Sequence, residues 1–319
     1  MNLASNLVDL NKNLKGRSFI SLHDFSVEEI RYILDFAHYL KIKQKRGEPY
    51  QILKGKTLGM IFTKNSTRTR VSFEVGMYQL GGLGIFLSSR DLQIGRGESI
   101  EDTARVLSRY LDGIMIRTYD HEDVVKLSMY SDIPVINGLT DLLHPCQALA
   151  DLMTIEEHKG KLQGRKLAYI GDGNNMANSL MLAGAKTGMN IVIASPPGYE
   201  PDKNIVHLAQ EDAKLTGASI KITNDIKVAV KNANILYTDV WTSMGQEEEA
   251  KKRIQDLGSY QINEELIKIA KDDVIIFHCL PAHRGEEITK EIIDGPHSVV
   301  FDEAENRLHA QKAIMALTM

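Results

Sequence analysis

The densest chemistry in the chain lies between Thr63 and Arg70, in the run TKNSTRTR. Ser66, Thr67 and Thr69 offer neutral donors, and Arg68 adds a planar fork suited to phosphate. The segment follows the apolar run TLGMIF and precedes a helical pattern, so these groups gather at a helix N-terminus. Free N–H groups and the positive dipole end favour an anion there. An isolated Ser-Thr-Arg would read as an N-cap beside a solvated arginine. This density at a strand-to-helix junction favours a phosphate site, with Arg70 structural. Three more polar residues follow apolar runs in the same half of the chain: Arg117 after GIMI, His144 after PVINGL, and Gln147 one helical step beyond His144. Cys146, between the last two, reads as a small buried hydrophobe.

The second half repeats the arrangement with other chemistry. IGDGNNMANS (170–179) follows a strand and opens a helix. It superficially matches a dinucleotide fingerprint, but Met176 stands where Gly or Ala belongs. The next strand ends in SPPG, without an acid. Asn174 and Asn175 offer amide donors to a carboxylate, or Asn175 simply caps the helix. In DVWTSMGQE (239–247), Asp239 and Ser243 either cap the next helix or hold an ammonium group, with Gly245 as a hinge. HCLPAHRGEE (278–287) carries Cys279, a Leu280–Pro281 bond expected to be cis, and two histidines. His278 and His283 invite zinc, but no Cys/His spacing elsewhere completes four ligands, so no metal is expected. Arg307 in EAENRLHAQ is a solvated helix arginine unless the last helix packs against the site.

Parallel sheets present ligands beyond the carboxyl ends of their strands, and these motifs all follow apolar runs. Strand patterns at 57–62, 82–87, 113–118 and 134–139 alternate with helical ones at 69–81, 101–111, 122–131 and 146–160. The rhythm restarts with strands at 166–172, 190–195, 218–223, 234–240 and 274–279, and a helix closes the chain at 303–317. Such alternation predicts two doubly wound parallel-sheet domains, 1–147 and 148–302, with 303–319 returning to the first. A chain of 319 residues suits two domains. Its 38 Lys+Arg against 42 Asp+Glu give −4, which disfavours nucleic acid as a partner. Two cysteines cannot build a disulfide framework, and a reducing cytoplasm is expected. No apolar run approaches a membrane span.

STRTR, HPCQ, D-x-x-x-SMG and HCLPAHRG, in that order, resemble the ornithine carbamoyltransferase family over nearly the whole chain. STRT alone would admit the wider superfamily, including aspartate carbamoyltransferase. GDGNNMANS departs from many relatives in its spacer but keeps the paired asparagines. The resemblance implies that the first domain binds carbamoyl phosphate and the second L-ornithine, without a cofactor. It implies a homotrimer, or a multiple of trimers, with shared active sites. It places Ser66, Thr67, Arg68 and Thr69 on the phosphate, and Thr69, Arg117 and His144 around the carbonyl oxygen. Gln147 and the Leu280 carbonyl hold the carbamoyl NH₂. Arg307 joins this site, as does Gln93 from a neighbouring subunit. Asn175, Asp239, Ser243 and Met244 bind the amino-acid end of ornithine, and Cys279 and Asp239 lie near the attacking amine.

The implied reaction is direct attack of a neutral amine on the carbonyl, giving citrulline and phosphate. Ordering two substrates supplies about 7–11 kcal/mol. Each oxyanion donor adds roughly 3–4 kcal/mol. The amine proton leaves to Asp239, Cys279 or the departing phosphate. Competing readings are another amine acceptor such as putrescine, an NAD-dependent dehydrogenase, and a non-catalytic relative. The intact Arg68, His144 and Arg307 set argues against the last.

Overall fold

The computed structural model of the protein describes residues 13–94, 96–242 and 247–319. The chain forms two compact units, Met1–Met153 with Asn306–Met319, and Thr154–Glu305. Each is built on one parallel sheet with helices between the strands.

In the first unit, β1 (Thr57–Phe62), β2 (Leu83–Ser88), β3 (Gly113–Arg117) and β4 (Val135–Leu139) lie in the order β2-β1-β3-β4. In the second, β5 (Lys166–Ile170), β6 (Asn190–Ala194), β7 (Ile220–Thr223), β8 (Ile235–Tyr237) and β9 (Ile275–Phe277) are ordered β7-β6-β5-β8-β9. This is the expected doubly wound class. Winding reverses between β1 and β3 in one sheet and between β5 and β8 in the other, and such switch points open crevices at the strand ends. The central strands read as near-continuous apolar runs because both their faces are covered. Ile61, Ile114, Ile116 and Val135 lie in one core; Ala168, Ile170, Leu236 and Ile276 lie in the other. Each fully buried isoleucine contributes about 1.5–3 kcal/mol. Edge strand β2 is only partly covered, with Leu83 and Phe86 exposed.

The connecting helices of the first unit are α1 (Val27–Lys45), α2 (Thr67–Gln79), α3 (Ile100–Leu107), α4 (His121–Tyr130) and α5 (Pro145–Lys159), the last crossing into the second unit. In the second are α6 (Asn175–Thr187), α7 (Lys203–Thr216), α8 (Ile226–Val230), α9 (Ala250–Leu257), α10 (Glu264–Ile267) and α11 (Lys290–Ile293). The closing helix α12 (Val300–Thr318) starts among second-unit residues. From Asn306 it returns to the first, where Asn306 accepts from Lys41 at 2.7 Å and Lys312 donates to Gln44 and Gln79.

Several helix limits differ from the sequence expectation. The pattern at 69–81 begins two residues early because Ser66 caps α2. The pattern at 101–111 stops at Leu107, beyond which Ser108 bonds its hydroxyl back to Ala104. The single-turn helices α10 and α11 lack enough residues to show a period.

Candidate active site

The first cluster gathers at the β1/β3 switch point. Ser66 has extended φ −164°, and its hydroxyl accepts the Thr69 N–H at 3.1 Å. It is therefore the N-cap of α2, leaving Thr67 and Arg68 in the first turn with their N–H groups outward. Thr69 is fully buried. Its hydroxyl accepts Arg307 Nη2 at 2.8 Å and, more loosely, Arg117 Nη1 at 3.5 Å. β3 supplies Arg117 at its carboxyl end, and α12 supplies Arg307 across 238 residues of chain. Arg70 points away, bonding Glu74 at 3.1 Å and lying 3.8 Å over the Phe86 ring, which fits its structural reading.

His144 immediately precedes α5 and is buried. Burial, then Arg307, Arg117 and Arg68, hold its imidazole well below the ordinary histidine range. The ring is thus neutral at physiological pH, and one nitrogen carries a hydrogen that can donate to a carbonyl. Gln147, one turn on, donates to Asp151 at 2.8 Å. Cys146 bonds the Asn137 carbonyl, and burial pushes its thiol up to about 12, so it is not a nucleophile. Lys64, not singled out in the sequence, is buried in the loop after β1, paired with Asp141 and 4.1 Å over Tyr119. Gln93 is exposed on the loop after β2.

The second cluster forms at the β5/β8 switch point. Asn174, rather than Asn175, caps α6: its side-chain oxygen accepts the Met176 and Ala177 N–H groups and the Tyr169 hydroxyl. Its amide nitrogen donates to Asp239 Oδ2 at 2.9 Å. Asn175 takes the first helical position, partly exposed. Asp239 Oδ1 accepts its neighbour's N–H at 2.8 Å and the Cys279 thiol at 3.1 Å. Ser243, Met244 and Gly245 lie outside the described residues.

Cys279 and Leu280 follow β9. His278 beneath them accepts the Leu280 N–H at Nδ1 (2.9 Å), so Nε2 donates to buried Glu287 at 3.0 Å. Both its ring nitrogens are engaged, which withholds it from a metal at Asp239, His278 and Cys279. Leu280 has φ +57°, a left-handed conformation that non-glycine residues rarely adopt, and the following bond to Pro281 is cis. Against the dinucleotide reading, a Cβ at Gly173 would stand 2.3 Å from the Pro201 nitrogen. The chain's own backbone fills the approach that a pyrophosphate needs.

The sheets and their strand-end clusters define a two-domain α/β protein, with an arginine-rich anion site on one unit and a carboxylate, thiol and amides on the other. Residues 17–157 match the aspartate/ornithine carbamoyltransferase carbamoyl-P binding domain, and residues 163–318 match the Asp/Orn binding domain. The chain belongs to the aspartate/ornithine carbamoyltransferase family. It is 63% identical to an ornithine carbamoyltransferase of Oceanobacillus iheyensis, over 97% of this chain and 96% of the relative. It is 56% identical to one of Pyrococcus furiosus named anabolic, over 96% of this chain and 98% of the relative. A solved structure of ornithine carbamoyltransferase from that organism superposes with a TM-score of 0.94, covering 96% of this chain and 98% of that one.

Proposed function

We propose that the chain transfers the carbamoyl group of carbamoyl phosphate to the δ-amine of L-ornithine, giving L-citrulline and phosphate. The observation that carries this reading is the convergence of Arg307 and Arg117 on the buried Thr69 hydroxyl, beside a neutral His144 and the α2 N-terminus.

In this reading Ser66, Thr67, Arg68 and Thr69 bind the phosphate through first-turn N–H groups, hydroxyls and a guanidinium. Thr69, Arg117 and His144 surround the carbonyl oxygen, and Arg307 spans both. Gln147 and the Leu280 carbonyl accept hydrogens of the carbamoyl NH₂. As the amine nitrogen bonds to the carbonyl carbon, charge moves onto the oxygen. Each donor already aimed there contributes roughly 3–4 kcal/mol to the transition state. The oxyanion then collapses, the carbon–oxygen bond to phosphate breaks, and the amine gives up a proton. No covalent enzyme intermediate is needed.

Asn175, Asp239, Ser243 and Met244 hold the amino acid, with the Asp239 carboxylate attracting its α-ammonium group. Cys279, bonded to Asp239, lies with it near the attacking nitrogen, and either group or the phosphate takes the proton. The family's substrates and the anabolic relative support a role in arginine synthesis, which we assign to the cytoplasm. Among the described residues no helix is long and apolar enough to cross a membrane. We assign a homotrimer, or a multiple of one. Val71, Val75 and Tyr78, one or two turns apart on α2, give the first unit an exposed apolar stripe suited to a second copy.

The test supplies carbamoyl phosphate with ornithine, putrescine, N-acetylornithine or aspartate and measures the carbamoylated product. Citrulline from ornithine alone is expected. Preference for another amine would overturn the substrate assignment.

A further inference from the structure

Arg253, on α9, was no part of the sequence-based site, and nothing in its local pattern marks it. Its Nη1 donates to Asp172 Oδ2 at 2.7 Å and to the Trp241 carbonyl at 3.0 Å, and its Nε donates to Glu249 at 3.2 Å. The guanidinium lies 5.2 Å from the Tyr199 ring centre, and the Tyr199 hydroxyl donates to Asp256 at 2.8 Å. Arg253, Asp172 and Trp241 are all buried.

What this side chain joins gives it a consequence. Asp172 lies in the turn after β5, three residues before Asn175. Trp241 lies in the segment after β8, two residues beyond Asp239. One guanidinium therefore ties together the two strand-end segments that carry the proposed ornithine contacts. A second side-chain tie between them is the Asn174–Asp239 hydrogen bond at 2.9 Å. Arginine suits the task because the two hydrogens on Nη1 are fixed in the guanidinium plane, one for each segment, while lysine offers a point charge on a flexible stem. Asp172 also needs the cation: burial raises its carboxyl above the ordinary range, and Arg253 opposes that rise.

We propose that Arg253 is a positioning residue that fixes the spacing of Asn175 and Asp239, and through it the affinity for the amino-acid substrate. The proposal rests on the ornithine reading above. If Arg253 served only to anchor α9, its loss would lower stability and reduce the active fraction without favouring one substrate. A positioning role instead divides the two substrates, since its effect falls on the ornithine contacts alone.

The experiment compares wild type with Arg253→Gln, Arg253→Lys and Glu249→Gln, varying each substrate in turn and recording melting temperature. In R253Q the ornithine KM should rise by about tenfold or more, as displaced contacts of this kind do. The carbamoyl phosphate KM should stay within about twofold on the same grounds. R253K, which keeps charge beside Asp172 but loses the fork, should fall between, and E249Q should resemble wild type. Should R253Q fail to fold, R253K reads the same split. An unchanged ornithine KM in folded variants would overturn the proposal, as would a loss of kcat with both KM values unchanged. The wild-type amine panel separates this result from the underlying reading. If another amine is carbamoylated, the ornithine assignment fails, and the same split is read on that amine.

Discussion

Arg68 occupies the first turn of α2, where its guanidinium adds to N–H groups that are present whatever side chain stands there. Replacing it with glycine removes the fork and leaves the Ser66 cap intact. Arg68→Gly should weaken carbamoyl phosphate binding about 100-fold, since hydrogen bonds to charged groups contribute roughly 1.5–3 kcal/mol each. The melting temperature should hold. Titration calorimetry beside a thermal melt checks both, and wild-type affinity would remove Arg68 from the phosphate site. His144 leads to a second expectation. Burial and three nearby guanidinium groups hold its imidazole well below the usual range, so it is not the group whose charge changes above neutrality. The rise of activity with pH must then come from the substrate, whose amine resembles lysine with a reference pKa of about 10.4. At subsaturating ornithine the rate should climb above neutrality as the neutral amine fraction grows. A flat profile from pH 6 to 9, with chemistry rate-limiting, would contradict this. The residue types of this site were legible because charged and hydroxylic groups cluster in short runs. The choice of cap was not. Asn174 and Asn175 are the same residue type, and the Tyr169 hydroxyl on β5 and Asp239, brought in by β8, select Asn174. Arg253 was hidden for the same reason, as its partner Asp172 is 81 residues away.

The turn from β5 into α6 shows what an element must do to place such groups. Asn174 and Asn175 follow Gly173, whose α-carbon packs against the backbone of Glu200 and Pro201. An added methyl would meet the Pro201 nitrogen at 2.3 Å and the Glu200 carbonyl carbon at 2.5 Å. Backbone cannot rotate aside as a side-chain tip would, so the whole turn must shift. Gly173→Ala should cost about 1–3 kcal/mol of stability, the usual range for overpacking. It should also raise the ornithine KM, because Asn174 and Asn175 move with the turn. Chemical denaturation and substrate kinetics check the two effects, and a variant equal to wild type in both would show that the turn has slack. Strands were the most legible elements: TLGMIF is β1 to the residue, because a buried parallel strand is a short unbroken apolar run. Pairing order was not legible, since the same alternation fits several arrangements. It is the order β7-β6-β5-β8-β9, set by tertiary packing, that puts Asn174 and Asp239 at neighbouring strand ends.

At the scale of the whole molecule, Gln93 poses the sharpest question. It lies exposed on the loop after edge strand β2, where the Arg96 N–H bonds its carbonyl at 2.8 Å. On sequence alone such a loop reads as ordinary solvated surface, and only the family resemblance gives it a partner. A loop leaving an edge strand that is only partly covered is well placed to reach another copy. Subunit mixing tests the assignment. One variant is altered at Gln93 and a second at Arg68, each inactive yet still assembling by itself. After the two are reassembled together, some interfaces join an intact Arg68 on one subunit to an intact Gln93 on its neighbour, and activity should return at those sites. If both residues serve the same subunit, every site carries one lesion or the other, and the mixture stays as inactive as its components.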